Sequence, residues 1–244
     1  MKNKPEAPLE PDGREQLIPR EGWVALHLFY QIDRVQWTLF TEDEKLSLKT
    51  NLTRLAQEIR AMPDTQLLLF SVVSPKADLG VLLLTPDLHD ANAFEKRLGG
   101  SLGTEILTPV YSYLSLTTND GFASNALYPK LPDSPVVGFY SMSCRRGEHA
   151  NWYSLGEKDR ATLLHHHRAA LSPWEDSVSR LVTASTGLDD GEWAVTLFTH
   201  DLLDLKNVIH ESRFDPFSAQ YVDFGEFYVG IQLPLDELFR RLDL

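Results

Sequence analysis

From Trp23 the run WVALHLFYQID alternates apolar and polar positions and is rich in aromatic and branched side chains, which predicts a strand. Leu46, Leu48, Leu52, Leu55 and Ile59 form the stripe of an amphipathic helix over 41–61, with acidic residues in its first turn. Residues 66–74 (QLLLFSVVS) and 79–86 (LGVLLLTP) read as buried strands, separated by the turn-like Pro75-Lys76-Ala77-Asp78. A helix over 90–98 and a strand over 110–117 complete the first half. The second half follows the same order: a strand over 136–146, a helix, a strand over 177–186, a strand–turn–helix over 192–213 and a strand over 225–233.

The helix of the second half carries three consecutive histidines. Ser154 and Glu157 are spaced as a capping box, and Ser172-Pro173 stops the helix, which sets it at about 155–171. Leu163, Leu164, His167 and Leu171 fall on one stripe, so His167 is in line with the core-facing leucines while His165 and His166 point elsewhere. A neutral imidazole there is either a hydrogen-bonded core residue or a ligand to something buried. Three adjacent histidines are not a metal triad, because neighbours on a helix lie about 100° apart and cannot converge on one ion.

The two halves also match residue by residue. Residues 77–90 lie against 191–204 at an offset of 114, keeping the turn T-x-D-L-x-D. The same offset sets Trp23–Tyr30 against Val137–Cys144 and Tyr113 against Phe227. One β-α-β-β-α-β unit used twice predicts an α+β fold of two ferredoxin-like halves, 21–117 and 134–244, joined by a linker over 118–133. Helices on one face of each sheet leave the other face to be buried by the partner half, with a pocket in the C-terminal half.

Composition narrows the partners. The net charge of −12 over 244 residues argues against nucleic acid or an anionic membrane surface. No run of about 18 apolar residues is present, so no membrane span is expected. Residues 1–20 are polar and proline-rich and read as a loose arm without a signal-peptide core. Cys144 is the only cysteine, which makes the cytoplasm the expected location. Against the acidic background, Arg145, Arg146, Arg168 and Arg180 are either a solvated surface or a site for carboxylates.

GFYSMSCRR, NWYSL, the histidine helix, STGLDDGEWAVTLF and above all ESRFDPFSAQYVDFGEFYVG resemble the chlorite dismutase superfamily, most of all its coproheme decarboxylase branch. GWVALHLFYQID, KADLGVLLLTPDLHD and PVYSYLSL resemble that branch's first repeat, so the likeness spans nearly all of 21–233. It implies a dimeric α+β barrel, assembled as a homo-oligomer, usually a ring pentamer. It further implies a cytoplasmic enzyme that uses hydrogen peroxide to decarboxylate coproheme III (iron coproporphyrin III) to haem b. In that branch the substrate is also the redox centre.

By the same resemblance, His167 is the proximal ligand of the haem iron and Tyr140 the tyrosine whose radical takes hydrogen from a propionate. Met142 lies on the same strand face and is a candidate for the substrate-binding wall. Arg213 and Ser218 match propionate-holding positions, and Arg145 is a further candidate. Read without the resemblance, Tyr140 is a core or interface aromatic and Arg213 a charge at a helix C-terminus. Three departures stand out: Cys144 replaces a lysine, Ala126 replaces an upstream arginine in a shortened linker, and Arg180 occupies a distal position where most such decarboxylases carry glutamine. Arg180 keeps open a haem b chlorite dismutase, in which a distal arginine steadies a developing oxyanion. The missing anchors keep open a non-catalytic haem-binding barrel.

Overall fold

The computed structural model describes residues 16–119 and 127–244. Most of the N-terminal arm, and Ala126, lie outside the described residues. The elements are β1 (Val24–Ile32), α1 (Arg34–Leu39), α2 (Glu42–Ala61), β2 (Gln66–Val72), β3 (Leu79–Thr85), α3 (Leu88–Ser101) and β4 (Leu107–Leu116). They continue with β5 (Val136–Cys144), α4 (Glu157–Leu171), β6 (Val178–Ala184), β7 (Trp193–Thr199), α5 (Leu202–Ser212), α6 (Pro216–Tyr221), β8 (Val222–Gln232) and α7 (Leu235–Arg241).

The strands order as β4-β1-β3-β2 and β8-β5-β7-β6, and the two sets join into a closed antiparallel barrel. β2 meets β8 over Phe70, Ser71 and Val72. β4 meets β6 through one pair, Leu116 with Ala184. Side chains reinforce that thin seam: Ser115 Oγ lies 2.7 Å from Thr183 Oγ1, and the Leu114 amide donates to Asp189 at 2.8 Å.

Period-two alternation decides where each strand residue goes. Ala25 and Phe29 of β1, with Val137 and Phe139 of β5, point inward and join Phe70, Tyr113 and Tyr228 in an aromatic barrel core. Val24, Leu28 and Tyr30 point outward and pack with Leu52, Leu55 and Ile59 of α2 and Phe94 and Leu98 of α3. Tyr140, Met142 and Cys144 point outward on β5 and pack with Leu171, Leu205, Val208 and Phe217. Aromatics fill the lumen, so the space for a ligand lies outside the barrel, between the second-half strands and their helices.

The repeated T-x-D-L-x-D turn is one physical device used twice. Asp87 caps α3 by accepting from the His89 amide at 2.9 Å, and Asp201 caps α5 by accepting from Leu203 at 2.8 Å. Two expectations need correction. The Ser154–Glu157 capping box does not form, because Asn151 Oδ1 takes the Tyr153 amide and closes a 3₁₀ turn over Trp152–Ser154; α4 then starts at Glu157 behind Gly156. The capping box present is Thr41 with Glu44, at α2. Leu46 is 65% exposed, since it lies on the far side of α2 from Leu52, Leu55 and Ile59. The helices α1, α6 and α7 are each too short for a helical period to stand out in the sequence. Among the described residues no helix is long and apolar enough to cross a membrane.

One barrel-core residue carries a pH dependence. His27 is fully buried, held through Nε2 to Thr196 Oγ1 at 2.8 Å, and burial lowers its pKa from 6.5 to about 3. Below 6.5 the unfolded chain binds this proton and the folded chain does not. Stability is therefore expected to fall as pH drops from 6.5 toward 3, by on the order of 1 kcal/mol per pH unit from His27. Urea midpoints of the protein taken across this range should show the slope, and His27→Gln should flatten it; equal slopes in both proteins would refute the assignment.

Candidate active site

The second-half helices cover the outer face of β5, β6 and β7, leaving a cleft with about 640 Å³ of empty space counted out to its mouth. Tyr140 and Met142 of β5 and Val195 and Leu197 of β7 line it from the barrel side. His167, Arg168 and Leu171 of α4, Val208 of α5, and Phe217 and Ser218 of α6 line it from the helix side. Arg180 and Val182 of β6 and Phe224 of β8 complete the wall.

His167 is on the inward stripe of α4, and His165 and His166 are exposed. Its Nδ1 lies 2.9 Å from Asp215 Oδ2 and 3.4 Å from Ser218 Oγ. The other carboxylate oxygen of Asp215 accepts from the Phe217 and Ser218 amides at 3.0 and 3.2 Å, as the N-cap of α6. One carboxylate thus starts a helix and fixes an imidazole. The Asp215 side chain is 2% exposed. Burial pushes its pKa upward, but the bonds to His167 and Ser218 outweigh that and hold it below the usual carboxylate range. With Nδ1 turned to Asp215, Nε2 is the nitrogen suited to a ligand in the cleft.

Tyr140 is buried, stacked on Phe227 at 4.7 Å and tilted against Phe224 at 5.6 Å. Burial raises its pKa well above the ordinary value, and the charges of Arg180 and Arg213 pull the other way. The phenol therefore keeps its proton at neutral pH. Arg180 has a side chain 17% exposed and makes a long contact to Glu175 at 3.4 Å. Burial lowers its pKa below that of a free guanidinium.

The remaining candidates differ in how close they come. Ser218 is buried in the cleft wall, with its hydroxyl turned to the His167–Asp215 pair. Arg213 stands just outside the lining, exposed, with its guanidinium 5.0 Å from the centre of the Phe224 ring. Arg145 is engaged elsewhere: it pairs with Asp223 at 2.8 Å and donates to the Ala219 and Gln220 carbonyls. Cys144 is buried, and burial followed by nearby Glu192 pushes its thiol up to about 12, so it stays protonated. Sequence reasoning missed Asp215, although Asp-Pro ahead of a short apolar run is itself an N-cap signal.

Residues 46–233 match the family model described as chlorite dismutase. The chain belongs to the chlorite dismutase family. Within the chlorite dismutase family it is 31% identical, over 89% of its length and 94% of the relative's, to a coproheme decarboxylase of Staphylococcus carnosus. A haem-binding protein from Thermus thermophilus superposes with a TM-score of 0.86 at 32% identity, covering 92% of this chain and 96% of that one. A mutant chlorite dismutase from Candidatus Nitrospira defluvii superposes with a TM-score of 0.78 at 19% identity, covering 93% and 97%, a likeness of fold alone.

Proposed function

We propose that this protein binds coproheme III in the second-half cleft and decarboxylates its propionates with hydrogen peroxide, giving haem b. One arrangement carries the reading: a carboxylate-backed histidine and a buried, protonated tyrosine share one apolar cleft edged by guanidiniums. Among the described residues no three His, Cys, Asp or Glu side chains are grouped to hold a metal ion. An ion bound at His167 must therefore bring its other ligands with it, as an iron porphyrin does. The relative named coproheme decarboxylase supplies the substrate class.

In this reading His167 binds the iron through Nε2, and Asp215 fixes the ring and raises its basicity. Bound there, an iron porphyrin would supply the peroxide-driven redox chemistry. Tyr140 gives up an electron and its phenolic proton, and the tyrosyl radical then takes a hydrogen atom from the propionate carbon β to the carboxylate. Carbon dioxide leaves, a second electron is withdrawn, and a vinyl group remains; one peroxide becomes two waters for each propionate. Arg213 holds a propionate, Ser218 reaches one only if its hydroxyl turns from the His167–Asp215 pair, Met142 packs beside Tyr140, and Arg180 stabilises negative charge in the cleft. Arg145, tied to Asp223, acts on propionates only if that pair opens. The apolar walls keep water from quenching the radical.

The matching strand orders and caps of the two halves support a dimeric α+β barrel made from a duplicated ferredoxin-like unit. An apolar groove with exposed Val73 and Leu202 at its edge supports a homo-oligomer. Arg180 favours one second reading, chlorite dismutation by bound haem b, because it reaches the cleft. An oxygen electrode separates the two: the haem b-loaded protein should evolve no oxygen from chlorite, and rapid oxygen evolution without coproheme turnover would reverse the assignment. Asp215→Asn is expected to cost about 10–100-fold in coproheme affinity or turnover. It should also lower the frequency of the ferrous iron–histidine stretching band in resonance Raman spectra; an unmoved band would remove Asp215 from its supporting role.

A further inference from the structure

On the helix side of the cleft, aromatic contacts run from His167 to Trp152, whose chain neighbour Tyr153 stands at the protein surface. The His167 and Phe217 rings lie 5.4 Å apart, and Phe217 meets the buried Trp152 at 4.8 Å. Tyr153, next in the chain, is 48% exposed. Its hydroxyl donates to Glu192 Oε1, an oxygen that also pairs with Arg146. The Arg146 guanidinium lies 5.0 Å from the centre of the Tyr153 ring. The cleft chemistry uses neither Trp152 nor Tyr153, yet indole and phenol are the readily oxidised side chains on this route.

We propose that Trp152 and Tyr153 form a second exit for oxidising equivalents, ending on Tyr153 with Glu192 as its proton acceptor. This rests on the haem-and-peroxide reading above. The electron from Tyr153 passes through Trp152 to the oxidised iron porphyrin, and the phenolic proton moves to Glu192. A neutral tyrosyl radical and a carboxylic acid result. Arg146 above the ring disfavours a ring cation, so electron and proton leave together. Each peroxide reduced to two waters draws two electrons and two protons; after each step a one-electron donor in solution, such as ascorbate, returns an electron to Tyr153 while Glu192 returns the phenolic proton, and the donor's own proton passes to solvent, from which the protons of the two waters are drawn. The exit consumes peroxide when no propionate is positioned, and it gives the protein a surface site for oxidising donors too large for the cleft.

The test loads wild type, Tyr153→Phe and Glu192→Gln with haem b, adds hydrogen peroxide and a nitroso spin trap without ascorbate, and maps adducts by peptide mass spectrometry. Tyr128, 56% exposed, is the internal control for indiscriminate oxidation. Expected are adducts on Tyr153 several-fold above Tyr128, their loss in Tyr153→Phe, and a several-fold drop in Glu192→Gln. Equal labelling of Tyr153 and Tyr128, or undiminished labelling in Glu192→Gln, would overturn the exit. Coproheme decarboxylation by Tyr153→Phe should match wild type. If wild type decarboxylates coproheme but Tyr153 stays unlabelled, only the exit fails; if Tyr153 is labelled but coproheme is not decarboxylated, only the substrate assignment fails.

Discussion

His167→Ala is expected to lower coproheme affinity by more than about 100-fold, beyond the cost of losing a supporting partner alone. On the proposed reading the bound iron would lose its one protein ligand, and the Asp215 carboxylate is left buried without the imidazole that holds it ionised. Such a carboxylate either takes up a proton or costs stability, so the haem-free variant should also be weaker than wild type at neutral pH and approach it in acid. A Soret titration should show the lost affinity, and added imidazole, seated in the space vacated by the ring, should partly restore the wild-type band. His165 and His166 are exposed on α4, so alanine at either should leave the titration unchanged. A wild-type Soret band in His167→Ala, or its loss in His166→Ala, would show that the helix face is misassigned.

The second large effect is expected from Tyr140→Phe, with decarboxylation slowed by on the order of 10²–10⁴-fold, the span typical when a positioned proton-transfer group is removed. Binding should survive, because phenylalanine keeps the stack on Phe227 and the contact with Phe224. Thermal stability should change little, since the hydroxyl is desolvated rather than a structural tie. Because burial keeps the phenol protonated, turnover near neutral pH should not rise with pH through phenolate formation. Stopped-flow spectra of the coproheme complex with peroxide would show an oxidised porphyrin that forms and then fails to progress. Full activity in the variant would remove Tyr140 from the chemistry.

What could be read from the sequence was local. Helical periodicity on α4 separated His167 from His165 and His166, because that choice depends only on neighbours a turn apart. The repeated T-x-D-L-x-D turn was legible because an N-cap is made within three residues. Alternation on β5 put Tyr140 and Met142 on one face. The pairing of His167 with Asp215 spans 48 residues, and no local pattern encodes it. Arg145 looked available until Asp223 and the carbonyls ending α6 were brought against it by β8. Ser154 failed as a cap because Asn151, a better Asx-turn former, sat three residues upstream.

The central claim is that the chain turns coproheme into haem b, and the mass of the porphyrin after peroxide tests it most directly. The protein would be loaded with one equivalent of coproheme and titrated with hydrogen peroxide, and the extracted porphyrin analysed by mass spectrometry. The expected result is stepwise loss of two carbon dioxide units with gain of two vinyl groups, each step consuming one peroxide and failing in Tyr140→Phe. Bleaching of the porphyrin with both propionates intact would contradict the claim.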